Sequence, residues 1–258
     1  MKVMILCGGR GTRLKEETEF RPKPMVEVGG KPLLWHIMKI FSAFGYREFV
    51  MCLGYKGNMI KEYFLNYEAM NNDFTVQLGT QNKIQFHSNH EEKDWKVTLV
   101  DTGEESGTGA RIKKASRYIE DDQFIVTYGD GVADINITDL ITRHESAGKI
   151  GTITGVHPAS RFGELLVQGN RVLKFHEKPQ VREGLINGGF FVFKKAFLGY
   201  LREDDACLME EGPLEELTAQ GELSAYVHEG FWQCVDTYRE LEFLNQLWKK
   251  GQAPWRKW

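Results

Sequence analysis

The sequence predicts an α/β fold, a Rossmann-like mixed and mostly parallel sheet flanked by helices, with a strand-rich second half. Three observations lead to it. Over residues 1–150, short β-branched and aromatic runs alternate with amphipathic helical segments, the pattern of βαβ units. After Gly148 the strand-like runs come closer together. No Pro/Ser-rich linker, repeat or low-complexity tract divides the chain, so residues 1–258 read as one continuous domain in two lobes, 1–150 and 151–258.

The elements follow in order. Strands are expected at Lys2–Cys7, Glu48–Leu53, Val97–Asp101 and Phe124–Tyr128. The clearest helix runs from Pro32 to Phe44, with proline at its first position, Leu33, Leu34, Ile37, Ile40, Phe41 and Phe44 at helical spacing, and Gly45 as the stop. Further helices are expected at Gly57–Tyr67, Ala110–Ile119 and Thr138–Ala147. In the second lobe, Gly151–Val156, Leu165–Gln168 and Val172–His176 read as strands, the last two joined by a Gly169-Asn170 turn. Gly189–Lys194, Ser224–His228 and Phe231–Asp236 continue the series, and a helix from about Thr237 to Lys250 closes the chain. The polar segment Gln81–Lys96 reads as a long hairpin or loop.

Composition narrows the function. With 33 basic and 36 acidic residues the net charge is −3, so the basic excess of a generic nucleic-acid binder is missing. No stretch approaches the ~20 apolar residues of a membrane helix, and the short apolar run before Gly8 is a strand entering a loop rather than a signal peptide. Cys7, Cys52, Cys207 and Cys234 form no CxxC pair, which suggests neither a zinc site nor a disulfide framework and fits reduced thiols in a cytoplasmic protein.

Chemistry concentrates in a few motifs. Gly8-Gly9-Arg10-Gly11-Thr12-Arg13 follows the first strand, where glycines let backbone amides approach an anion and Arg13 adds a fixed charge. The loop is neither a P-loop nor the dinucleotide fingerprint, because its spacing fits neither. In Arg21-Pro22-Lys23-Pro24, the flanking prolines are expected to hold Lys23 in extended backbone, aimed at a ligand. Tyr128-Gly129-Asp130-Gly131 ends a strand at the sheet edge where α/β proteins bind ligands, and a carboxylate there suits a hard cation beside phosphate. Arg111, Lys113, Lys114 and Arg117 read as a solvated helix face.

Together the glycine loop and the Arg21–Pro32 segment resemble the signature of sugar-nucleotide pyrophosphorylases, nucleotidyltransferases that join a nucleoside triphosphate to a sugar 1-phosphate. The resemblance covers essentially the whole chain, through Trp35-His36-Ile37-Met38, Gly54-Tyr55-Lys56-Gly57, Val100-Asp101-Thr102-Gly103, Tyr128 to Asp134, Phe231-Trp232-Gln233 and Ala253-Pro254-Trp255. It implies the nucleotide-diphospho-sugar transferase fold, with residues 1–150 as the nucleotide-binding half and 151–258 as the sugar-phosphate-binding half. It also implies CTP and glucose 1-phosphate as substrates, Mg2+ as cofactor, a homo-oligomer, and a role in bacterial surface polysaccharide synthesis. Carried over residue by residue, the nucleotide site is Leu6, Gly8, Gly9, Arg10, Gly11, Thr12, Arg13, Lys23, Thr108, Arg111 and Gly129. The sugar site is Gly163, Glu177, Lys178 and Asn187, and the metal ligands are Asp130 and Asp236. Arg13, Lys23, Asp130, Lys178 and Asp236 are the expected catalytic set. Four positions depart from the family pattern: Cys7 replaces alanine, Arg10 replaces leucine, and Cys234-Val235 replaces proline and methionine. Two alternatives stay open, another nucleotide or sugar phosphate and a non-catalytic regulatory subunit that retains the fold.

Overall fold

The computed structural model describes residues 1–79, 83–88, 90–158, 164–176 and 184–258, so the expected sugar-site residues Gly163, Glu177 and Lys178 lie outside the described residues. In chain order the elements are β1 (Val3–Cys7), α1 (Lys15–Thr18), β2 (Glu27–Val28), β3 (Lys31–Pro32), α2 (Leu33–Ala43), β4 (Glu48–Leu53), α3 (Gly57–Leu65), α4 (Tyr67–Asn71), β5 (Phe74–Gln77), β6 (Lys83–Phe86), β7 (Lys96–Asp101) and α5 (Thr108–Ala115). The second run is β8 (Gln123–Tyr128), β9 (Gly131–Ala133), α6 (Ile137–Ala147), β10 (Gly151–Val156), β11 (Glu164–Gln168), β12 (Arg171–His176), β13 (Ile186–Lys194), α7 (Pro213–Ala219), β14 (Leu223–His228), β15 (Trp232–Cys234) and α8 (Tyr238–Lys249).

Seven strands form the central sheet in the order β14-β10-β13-β8-β1-β4-β7. Its pairs are parallel except where β13 runs against β8 and β10. All five residues of β1 are buried, as a central strand covered on both faces requires. Alternate side chains serve opposite faces: Val3, Ile5 and Cys7 join the layer built from α2, α6 and α8, while Met4 and Leu6 join the layer of α5 and α7. The chain leaves β1 towards β4 on one side and later places β8 on the other. The crevice at the carboxyl ends of β1 and β8 is therefore a topological switch point.

The tail locks onto α2. Trp255 is fully buried and its Nε1 donates to His36 Nδ1 at 3.3 Å, which leaves His36 Nε2 to carry the proton and donate to the Val28 carbonyl at 2.8 Å. Burial holds the His36 imidazole neutral, with its pKa down at about 4.

Several boundaries differ from expectation for local reasons. The helix expected over Gly57–Tyr67 breaks at Asn66, whose backbone and side-chain amides both donate to the Glu62 carbonyl, at 3.0 and 2.9 Å, and so close the last turn. The helix expected from Ala110 begins at Thr108 and gives way after Ala115 to a 3-10 turn, Ser116–Tyr118. Helix α2 starts at Leu33, one residue after the expected proline, because Pro32 belongs to the short β2–β3 pair. Within the polar stretch 81–96, Lys83–Phe86 pairs with β5 as a hairpin and Lys96 opens β7. The strand expected over Phe231–Asp236 is the shorter β15, and it pairs with β9 rather than joining the main sheet. Among the described residues, no helix is long and apolar enough to cross a membrane.

Candidate active site

At the switch point opens a cleft lined by the glycine loop, Lys23, the amino end of α5 and the Tyr128–Asp130 segment. The loop starts where β1 ends. Gly11 has φ +62, the left-handed region glycine tolerates, and the turn closes with Leu14 N donating to Gly11 O at 2.9 Å. The amides of Gly9, Arg10, Gly11 and Thr12 donate to no acceptor among the described residues, so they remain available to an anion.

Gly8 is required for a different reason. A Cβ there would lie 2.0 Å from Arg111 Nη1, because the Arg111 guanidinium passes directly beneath the loop. Arg111 is 4% exposed and donates to Leu53 O at 3.1 Å, Thr102 Oγ1 at 2.9 Å, Gly103 O at 2.7 Å, Gly8 O at 3.1 Å and Glu104 O at 3.0 Å. The solvated helix face expected here is corrected at this position: Arg111 is a buried strut that ties the glycine loop to the ends of β4 and β7. Lys113 and Lys114 also bond inward, to Leu198 O at 2.8 Å and Asp205 Oδ1 at 2.6 Å. Arg10 is outside the cleft lining, and its guanidinium reaches across the rim to Glu105 and to Glu104 at 3.1 Å.

Lys23 is reached by a device the sequence reading had in part. The extended residue is Pro22, whereas Lys23–Met25 forms one 3-10 turn closed by Met25 N donating to Pro22 O at 2.8 Å. Pro24 sits inside that first turn, where its missing N–H leaves no acceptor unserved. The result is a lysine only 8% exposed, with Nζ 2.8 Å from Asp130 Oδ2 and 2.6 Å from Asp236 Oδ1. Burial alone pulls its pKa down, but the two carboxylates outweigh burial and hold the ammonium above its ordinary value.

The two carboxylates meet because β9 and β15 pair antiparallel. Gly131 opposes Cys234, and Val235 N donates to Asp130 O at 2.8 Å, which sets Asp236 beside Asp130. Gly129 allows the close crossing: a Cβ there would be 2.9 Å from the Leu6 carbonyl and 2.9 Å from Pro24. Asp236 is further held by its amide donating to Glu240 Oε2 at 2.7 Å, next to the capping box with which Thr237 and Glu240 start α8. Its Oδ2 lies 2.7 Å from Arg13 Nη1. Burial pushes the neighbouring Cys234 thiol up to about 12, so it stays protonated. Two converging carboxylates with room for phosphate oxygens form a donor set that fits a hard divalent cation.

On the opposite wall, Thr108 opens α5 and Asn187 Nδ2 donates to the Tyr128 hydroxyl at 3.1 Å. The structure thus brings Leu6, Gly8, Gly9, Gly11, Thr12, Arg13, Lys23, Thr108, Arg111, Gly129, Asp130 and Asp236 to one cleft, with Asn187 one contact behind it. Sequence reading missed Ser106, Leu208 and Glu210 at this wall. Ser106 and Glu210 carry no motif, and the Gly212-Pro213 that follows Glu210 signals only a helix start, α7.

Comparison with known proteins is consistent with this geometry. Residues 2–248 match the family model described as nucleotidyl transferase. The chain is 49% identical over 259 residues to the glucose-1-phosphate cytidylyltransferase of Salmonella typhi, and the match covers 100% of both chains. It is 45% identical over 258 residues to the probable glucose-1-phosphate cytidylyltransferase of Bacillus subtilis, again covering 100% of both. Among solved structures, HddC from Yersinia pseudotuberculosis aligns with TM-score 0.69 and 26% identity, covering 96% of this chain and 99% of that one. UDP-glucose pyrophosphorylase complexed with UDP-glucose aligns with TM-score 0.69 at 14% identity, covering 97% and 98%, a likeness of fold. With the mostly parallel sheet, the cleft at its switch point and a family match spanning nearly every residue, this chain belongs to the nucleotidyl transferase family.

Proposed function

We propose that the protein transfers the cytidylyl group of CTP to α-D-glucose 1-phosphate, giving CDP-glucose and pyrophosphate. The observation that carries the reading is the Lys23 ammonium held between Asp130 and Asp236, with Arg13 on the second carboxylate, beneath a loop of available amides. Such a site handles polyanions. The full-length relatives supply the substrate pair.

The chemistry needs no general base, because a sugar phosphate oxygen is already ionised at neutral pH. The obstacle is electrostatic: at about 5 Å and an effective dielectric of about 20, each pair of unit negative charges repels by roughly 3 kcal/mol. The amides of Gly9, Arg10, Gly11 and Thr12 and the side chains of Arg13 and Lys23 offset that repulsion on the triphosphate. Cys7 lines the cleft, but burial drives its pKa well above the ordinary thiol range, so it offers no thiolate to compete as nucleophile. Asp130 and Asp236 would hold Mg2+, which when bound supplies positive charge to the reacting phosphate. Gly163, Glu177 and Asn187 are assigned to the sugar hydroxyls and Lys178 to the sugar phosphate. Arg111 and Thr108 frame the nucleotide side.

A homo-oligomer and a cytoplasmic setting belong to the same proposal. In support of the first, Phe74, Val76, Leu78, Ile84 and Phe86 are all at least 40% exposed on the β5–β6 hairpin, an apolar stripe suited to burial between copies.

Pyrophosphate release measured for four nucleoside triphosphates against several sugar 1-phosphates with Mg2+ tests the reading. CTP with glucose 1-phosphate should give the highest kcat/KM. A preference for UTP or dTTP would overturn the nucleotide assignment, and no turnover with any pair would overturn the reaction.

A further inference from the structure

Glu210 belongs to none of the motifs above, yet it joins two walls of the cleft. The segment between the 3-10 turn Lys195–Gly199 and α7 crosses the amino end of α5 and takes up its free groups. Gly107 N donates to Asp205 O at 2.7 Å, Ala110 N to Cys207 O at 3.1 Å, and Met209 N to Thr108 Oγ1 at 2.8 Å. Glu210 then accepts two hydroxyls, Thr108 on Oε2 and Tyr128 on Oε1. Behind Tyr128 the chain of bonds continues, with Asn187 Nδ2 donating to the phenol at 3.1 Å and Gly189 N donating to Asn187 Oδ1 at 2.8 Å.

Both hydroxyls donate to Glu210, so both hydroxyl protons point at it. Each hydroxyl then accepts from its other neighbour, Met209 N for Thr108 and Asn187 Nδ2 for Tyr128. Gly189, at φ +79, makes room for the Tyr128 ring, since a Cβ there would be 2.5 Å from it. Four side chains from four places in the chain thus share one carboxylate-centred network, and two of them, Thr108 and Tyr128, line the cleft.

We propose that Glu210 is a positioning residue that couples the nucleotide side of the cleft, through Thr108, to the sugar side, through Tyr128 and Asn187. Ordering of one side by its substrate then orders the other. The inference rests on the functional reading above, because it needs both substrates in this cleft.

A mutant cycle run in two backgrounds tests it, with kcat/KM read from pyrophosphate release. Thr108→Val and Asn187→Ala alter groups that do not touch, and separated sites normally combine as the product of their single effects within about twofold. With Glu210 present, the double variant should depart from that product by threefold or more. In the Glu210→Gln background the departure should vanish, since an amide offers one acceptor for two hydroxyls. Tyr128→Phe, which cuts the network at another node, should abolish it equally and serves if Glu210→Gln does not fold by circular dichroism. Simple product behaviour with Glu210 present overturns the proposal, as does a departure that survives both Glu210→Gln and Tyr128→Phe. No turnover by the unaltered protein with CTP and glucose 1-phosphate refutes the functional reading and this inference together. Turnover without coupling refutes the inference alone.

Discussion

Replacing Lys23 with methionine should move metal affinity and turnover in opposite directions. Methionine keeps most of the length of the side chain and removes its charge. In the protein the ammonium bonds Asp130 at 2.8 Å and Asp236 at 2.6 Å, and the side chain is only 10% exposed, so solvent screens little of this contact. A divalent cation bound by the same carboxylates has to displace it. A hydrogen bond between charged groups is worth ~1.5–3 kcal/mol, so losing the two competing bonds should tighten cation binding roughly a hundredfold or more. The same substitution takes a cation away from the polyphosphate, and kcat/KM for CTP should fall on the order of a hundredfold. Mn2+ titration followed by electron paramagnetic resonance without nucleotide reads the first effect, and pyrophosphate release reads the second. If folded Lys23→Met binds Mn2+ no more tightly than the parent, the competition argument is wrong. An unchanged kcat/KM would show that Lys23 does not serve the phosphates.

The other expectations concern charge and pH. Asp130→Asn should abolish turnover with an unchanged circular dichroism spectrum, and Mg2+-dependent activity within tenfold of the parent would refute the role given to Asp130. Lys178→Ala should reduce kcat/KM for glucose 1-phosphate on the order of ten- to a hundredfold, the value of one charge-assisted contact, while CTP binding measured alone by calorimetry hardly changes; the reverse pattern would move Lys178 to the triphosphate. Burial lowers the pKa of both His36 and His144 to about 4, below the ordinary 6.5, so the unfolded chain binds more protons between those values. Their contribution is complete above pH 6.5 and is lost as pH falls towards 4, by up to about 3 kcal/mol each. Thermal midpoints recorded from pH 7 to 4 should fall, His144→Asn should flatten that fall, and a pH-independent midpoint would contradict the buried neutral imidazoles.

Much of the fold was legible because its signals are local. The strands Glu48–Leu53 and Gly151–Val156 have the expected bounds, since β-branched and apolar runs between turn residues encode a buried strand directly. The glycine loop was legible from its own residues, whereas Lys23, Asp130 and Asp236 became legible only through the family resemblance, because lysine between prolines or aspartate in a turn serves structure as readily as chemistry. Less visible were features whose partners are remote. Arg111 looked solvated beside its basic neighbours, but Gly8 leaves the space that lets it turn inward. Glu210 offered no motif, and its partners lie 102 and 82 residues away in the chain.

By itself the sequence determined the class of sheet and pointed to a glycine loop suited to an anion and to residue types suited to a metal and phosphates. Tertiary structure alone decided that these meet. Lys23 reaches Asp130 across 107 residues and Asp236 across 213, and it does so through the order of the central sheet and the pairing of β9 with β15. Hydrophobic periodicity states which face of a strand is buried and is silent on its neighbour. That choice belongs to the packing of the whole chain, and it turns three separated charged residues into one site.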